Sequence, residues 1–164
     1  MSVPAHAGTL MTQRDALMLA FPSGRHERRT LYLTEEQRKA AETLGRVKVE
    51  SRVWTYYEGA EGFAYFDTHV VRTMPETFMA ALAPDGSVRF VELVSFQEPD
   101  DYLPRPRWLD QFKGRKLDRE LMVRRGIRNM TGASLTSEAL ADGVRRVLAV
   151  HSVGQAEKVQ SPSR

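Results

Sequence analysis

Apolar and polar positions alternate with two different periods along this chain, and each change of period marks an element. Thr12-Gln13-Arg14-Asp15 resembles a capping box, and Ala16, Leu17, Leu19 and Ala20 follow it, which predicts a short helix ending before Pro22. Residues 26–33, HERRTLYL, read as a strand. Thr34-Glu35-Glu36-Gln37 is a second capping box and leads a helix expected to stop at Gly45. Strand-like segments follow at Val47 to Tyr57, Phe63 to Arg72 and Thr77 to Ala83. Pro84-Asp85-Gly86 makes a turn, and Ser87 to Phe96 runs back to complete the clearest hairpin of the chain. On that return strand Val88, Phe90 and Val94 share a face with Glu92 and Phe96, while Val91 and Leu93 lie on the other. A strand apolar on both faces is expected to sit centrally, covered on two sides.

Beyond residue 96 the character changes. QEPDDYLPRPR, residues 97–107, is a polar, proline-rich connection, and Trp108 to Gly114 reads as one or two helical turns closed by glycine. An arginine-rich segment leads to a final helix in which Leu140, Val144, Val147 and Leu148 recur at i, i+4, i+7 and i+8, widened by Ala141 and Val150. The pattern predicts an α+β fold: an antiparallel or mixed sheet with flanking helices and a C-terminal amphipathic helix. One domain is expected over residues 9–153, with flexible tails at 1–8 and 154–164.

Composition narrows the chemistry. At 164 residues the chain is long enough to bury a core without staples. It has no cysteine, which excludes disulfides, thiolate zinc sites and cysteine nucleophiles. His6, His26, His69 and His151 have no metal-ligand spacing, so no metal site is expected. The formal charge is only +3 with both signs mixed, which gives no reason to expect a nucleic-acid partner. No apolar run approaches the ~20 residues that span a bilayer. Ala5-His6-Ala7 before Gly8 has the small-x-small form cut by signal peptidase. The expectation is a signal-peptide remnant and a periplasmic or other extracytoplasmic location; a plain flexible tail is the alternative.

The densest chemistry lies at TGASLTS, residues 131–137, where the last helix begins. Ser134 or Thr136 is expected to cap that helix, and Glu138 suits its first turn. Unmet N–H groups at a helix start form an anion site, most often filled by phosphate. Gly132 and Ala133 leave room for a ligand to approach the backbone. Serine has no neighbouring base here, so no catalytic residue is assigned.

TGASLTSEALADGV resembles the C-terminal motif of the FMN-binding domain family, which includes peripheral flavin subunits of Rnf and sodium-pumping NADH:quinone reductase complexes. Thr131, Gly132, Ala133, Ser134, Leu135, Thr136 and Ser137 match that motif in order. The resemblance extends over residues 62–150, through Asp85-Gly86, Glu98 and Trp108 to Gly114, and the chain start is similar to that of small secreted members. It implies FMN as cofactor, attached through a phosphoester to Ser134 by a separate flavin transferase. It also implies an electron carrier, more than a self-contained enzyme, that serves a redox partner protein or a membrane complex. The implied cofactor-binding residues are Thr131, Gly132, Ala133, Ser134, Leu135 and Thr136. Glu98 is a candidate to hydrogen-bond the flavin, Trp108 and Phe112 to wall its ring or fill the core, and Lys113 to lie near phosphate or ring. Arg128 stands where the family usually has an acidic residue, and with Arg124 and Arg125 adds positive charge beside the motif. The alternatives are a flavin-dependent reductase and a flavin-free ligand-binding domain of the same fold.

Overall fold

Side-chain parity along one strand decides what each face of the sheet meets. In β3 (Gly62–Val71), Phe63, Tyr65, Asp67, His69 and Val71 point to one face, and Ala64, Phe66, Thr68 and Val70 to the other. The computed structural model describes residues 8–160, the last four as backbone only. Among them, β1 (Glu27–Tyr32), β2 (Val53–Gly59), β3, β4 (Met74–Leu82) and β5 (Val88–Phe96) form one antiparallel sheet in chain order. The long C-terminal helix α4 (Ser134–Gln160) and α2 (Glu35–Gly45) cover the first face, and α1 (Gln13–Ala20) covers the second. The fold is α+β, as the periodicity predicts.

Local signals place the first two helices. The Thr12 hydroxyl accepts the Asp15 amide at 3.0 Å to start α1. Thr34 and Gln37 complete a reciprocal capping box at the start of α2. Gly45 does not stop α2 by conformation, because the left-handed residue is Arg46, at φ 51°. Gly45 is instead buried against α4, where an added Cβ would lie 2.9 Å from the Ala149 Cβ. Gly143 does the same for α4 on the sheet, since a Cβ there would come within 2.5 Å of the Phe78 ring. Arg145 then latches the layers together. It is 4% exposed, donates to the Gly45 carbonyl at 3.0 Å and the Leu121 carbonyl at 3.1 Å, and pairs with Asp142.

Several boundaries depart from the sequence pattern. Residues 47–52 are not strand, because side chains take up their carbonyls: Arg38 binds that of Val49 and Arg146 that of Lys48. β4 begins at Met74 despite Pro75, whose neighbour on the β3 side is Val70, whereas pairing with β5 starts only at Glu76. The helix α4 passes the expected end at 153 and continues to Gln160, with Gly154 against Leu31.

β5 is an edge strand, not a central one. Its pairing with β4 skips Arg89 and Val94, so Val88, Val91, Leu93 and Phe96 all reach the main core while Val94 faces α1. The N-terminal segment closes part of its outer edge, where the Leu10 amide donates to Val94 at 2.9 Å and Gly8 accepts from Phe96 at 2.6 Å. Full coverage of an edge strand thus mimics the apolar pattern of a central one.

Candidate functional site

The turn before α4 is built by Gly132, at φ 81°, and by an amide–carbonyl bond from Ala133 to Met130 of 2.9 Å. The Ala133 carbonyl accepts the Ser137 amide at 3.0 Å, which puts Ala133 in the capping place. Neither Ser134 nor Thr136 caps the helix, contrary to expectation, because both lie inside its first turn. Their hydroxyls bind elsewhere. Ser134 Oγ accepts from Asn129 Nδ2 at 3.0 Å and from Arg124 at 3.4 Å. Ser137 Oγ lies 2.8 Å from Asn129 Oδ1 and 2.9 Å from the Ser134 carbonyl. Thr136 Oγ1 lies 3.0 and 2.8 Å from the two oxygens of Glu98. The amides of Ser134, Leu135 and Thr136 meet no acceptor among the described residues. With no capping side chain, these N–H groups carry the positive end of the helix dipole.

These groups open onto a cavity of about 230 Å³ lined by residues 132–136 together with Arg72, Glu98 and Tyr102. Arg72 lies in the turn after β3 at φ 57°, and its guanidinium sits over the Tyr102 ring at 5.6 Å. A cation, unmet amides and small side chains therefore converge on one concavity.

The other candidates lie elsewhere. Thr131 is exposed just before the turn. Trp108 and Phe112 are packed edge-to-face at 5.4 Å in the main core and do not line the cavity. The Trp108 indole donates to the Arg128 carbonyl at 2.6 Å, which anchors the loop leading to the motif. Lys113 pairs with Asp110 at 3.1 Å and borders a different cavity beside Leu19 and Phe90. Of the three arginines, Arg124 reaches the motif through Ser134 and Glu138, whereas Arg125 turns to the Arg119 carbonyl.

Beside the cavity is a buried acid–base cluster of which the sequence pointed only to Glu98. Asp67, Glu76 and Glu98 are 5%, 1% and 6% exposed. His69 bridges Asp67, at 3.2 Å from Nδ1, and Glu76, at 2.5 Å from Nε2. Arg146 of α4 holds both Asp67 oxygens at 3.0 and 3.2 Å. Burial pulls the His69 imidazolium down, but the hydrogen bonds to Asp67 and Glu76 outweigh it and raise its pKa to about 9. Burial pushes the Glu98 carboxyl up, the Thr136 hydroxyl opposes this, and nearby Glu76 pushes it further. His69, Asp67 and Arg146 also border a second and larger cavity, of about 680 Å³, whose walls include Trp54, Tyr57 and Phe66. The signal for this cluster was present: Asp67 and His69 share strand parity with the buried Phe63, Tyr65 and Val71.

Among the described residues no group of three or more His, Asp or Glu side chains is disposed to hold a metal ion, and no helix is long and apolar enough to cross a membrane. No protein-family description, curated protein or solved structure matches this chain.

Proposed function

We propose that this chain is an FMN-binding electron carrier that holds the cofactor phosphate at the start of α4, with Ser134 as the phosphoester anchor. One observation carries the reading: Ser134, Leu135 and Thr136, whose amides are unmet at the head of a long helix, line one concavity together with Arg72. That donor set suits a phosphate dianion. The cavity, about 230 Å³, lies below the usual range for a whole organic ligand, so it fits the phosphate and adjoining polyol but not the ring system. Leu135, half exposed, and Tyr102 line the same cavity and offer apolar surface for the remainder. The flavin supplies the redox chemistry when bound; the protein binds, orients and adjusts the charge around it. A flavin transferase, an extracytoplasmic location and a redox partner, either a single protein or a membrane complex, complete the proposal.

The small cavity also favours a second reading, a flavin-free domain that binds a phosphate-sized anion. Intact-mass measurement of the full chain coexpressed with a flavin transferase in a secretory compartment separates the two. The expected result is an FMN-sized adduct that disappears in Ser134→Ala. An adduct that survives in that variant moves the anchor to Thr136, and a colourless, unmodified protein rejects the flavin reading.

A further inference from the structure

We propose that Glu76 and Glu98 hold one proton between them beside the α4 cavity, so that capture of an anion there is linked to protonation of this pair. The inference rests on the reading of the α4 cavity as an anion site and says how that site is regulated.

The argument begins with donors and acceptors. Glu76 is 1% exposed; one of its oxygens binds His69, and the other, Oε2, has no donor among the described residues. Glu76 pairs with Phe96 across the β4–β5 ladder, two positions before Glu98, and the two carboxyls interact there, yet among the described residues the Glu98 oxygens receive only the Thr136 hydroxyl. Two ionised carboxylates offer each other lone pairs and no hydrogen, so the contact between them is repulsive and leaves Oε2 unsatisfied. One proton on the pair turns the same contact into a hydrogen bond and satisfies Oε2. This is the arrangement in which two like charges at close quarters ionise one at a time.

The surrounding charges agree with one proton, not two. Facing the pair are His69 on β3, cationic at neutral pH, and Arg72 at the cavity rim; Asp67, beyond His69, is matched by Arg146 of α4. His69 and Arg146 thus balance Asp67 and the single charge left on the glutamate pair, while Arg72 remains for a ligand. Loss of the shared proton would place a second negative charge beside the unmet amides of α4, where an incoming anion must sit.

Two measurements on the full chain test this. Infrared spectroscopy of the unliganded protein at neutral pH is expected to show a protonated-carboxyl band that is lost in both Glu98→Gln and Glu76→Gln. Absence of that band in the wild type overturns the shared proton. Calorimetric titration with inorganic sulfate, which stays dianionic over the range, is expected to show affinity falling at least about fivefold between about pH 6 and pH 8. Glu98→Gln, a neutral mimic of the protonated state, should bind at the higher pH as the wild type binds at the lower. Wild-type sulfate affinity that is flat with pH overturns the linkage and leaves the anion site standing. No sulfate binding at any pH, with the infrared band present, overturns the anion site and the linkage but not the shared proton.

Discussion

The hydroxyl of Thr136, in the first turn of α4, lies within hydrogen-bonding distance of both carboxylate oxygens of Glu98, a residue thirty-eight positions earlier in the chain. This contact joins the helix start to the segment just after β5, and both residues line the same cavity. Thr136 is 2% exposed and its hydroxyl is the donor that Glu98 receives, so the pair is structural and electrostatic at once.

Replacing Thr136 by valine keeps the shape and removes the donor. The expected loss is about 1–3 kcal/mol of unfolding free energy, the cost of leaving a buried acceptor unmet. Urea denaturation followed by circular dichroism measures it, and Thr136→Ser should recover most of the loss. A Thr136→Val protein as stable as the wild type would mean that Glu98 gains nothing from this hydroxyl.

Gly143→Ala sets two effects against each other. Alanine gains about 1 kcal/mol of helix propensity. The new Cβ would lie 2.5 Å from the Phe78 ring and 2.9 Å from Asp67 Oδ2, on the face where α4 meets the sheet. Overpacking of that kind costs about 1–3 kcal/mol, so the net expectation is destabilisation. Equilibrium unfolding that shows a more stable variant would rule out the close contact.

The pH dependence of stability follows from His69, whose pKa in the folded protein is raised to about 9 against an unfolded value of about 6.5. A raised histidine stabilises fully below its unfolded value, and the contribution fades as pH climbs through its folded value. Stability should therefore fall between about pH 6.5 and pH 9, by on the order of 3 kcal/mol at most. Denaturation midpoints across that range provide the check, and His69→Gln should flatten the slope. A wild-type slope of the opposite sign would show that Asp67 and Glu76 do not hold the imidazolium.

Arg145→Met removes a buried cation that donates to the carbonyls of Gly45 and Leu121 from within the apolar side of α4. Methionine fills the volume but leaves both carbonyls unmet, for an expected loss of about 2–4 kcal/mol. The deficit should appear in chemical denaturation with an unchanged m-value, because no new surface is exposed in the folded state.

Local physics was legible in the residues themselves. Thr12 and Thr34 start their helices as written, because a capping hydroxyl needs only an amide three positions away. The Asp85-Gly86 turn and the amphipathic run after Ser134 were equally plain, since each depends on neighbours in sequence. Gly132 to Thr136 and Glu98, both singled out from the residues alone, line one cavity.

What each hydroxyl does was decided by tertiary structure. Ala133, with no side-chain oxygen, occupies the cap, which leaves the first-turn amides open to the cavity and releases Thr136 to meet Glu98. Trp108 and Phe112 joined the core because the 97–133 connection folds over the sheet. β5 looked central and is an edge, because burial depends on what packs around a strand and not on its own pattern. The His69 cluster has the same origin. Asp67, His69, Glu76, Glu98 and Arg146 span eighty residues of chain, and only strand pairing and the seat of α4 bring their charges within bonding distance. A sequence states which charges a chain owns; burial sets what they cost, and folding alone determines which ones share that burial.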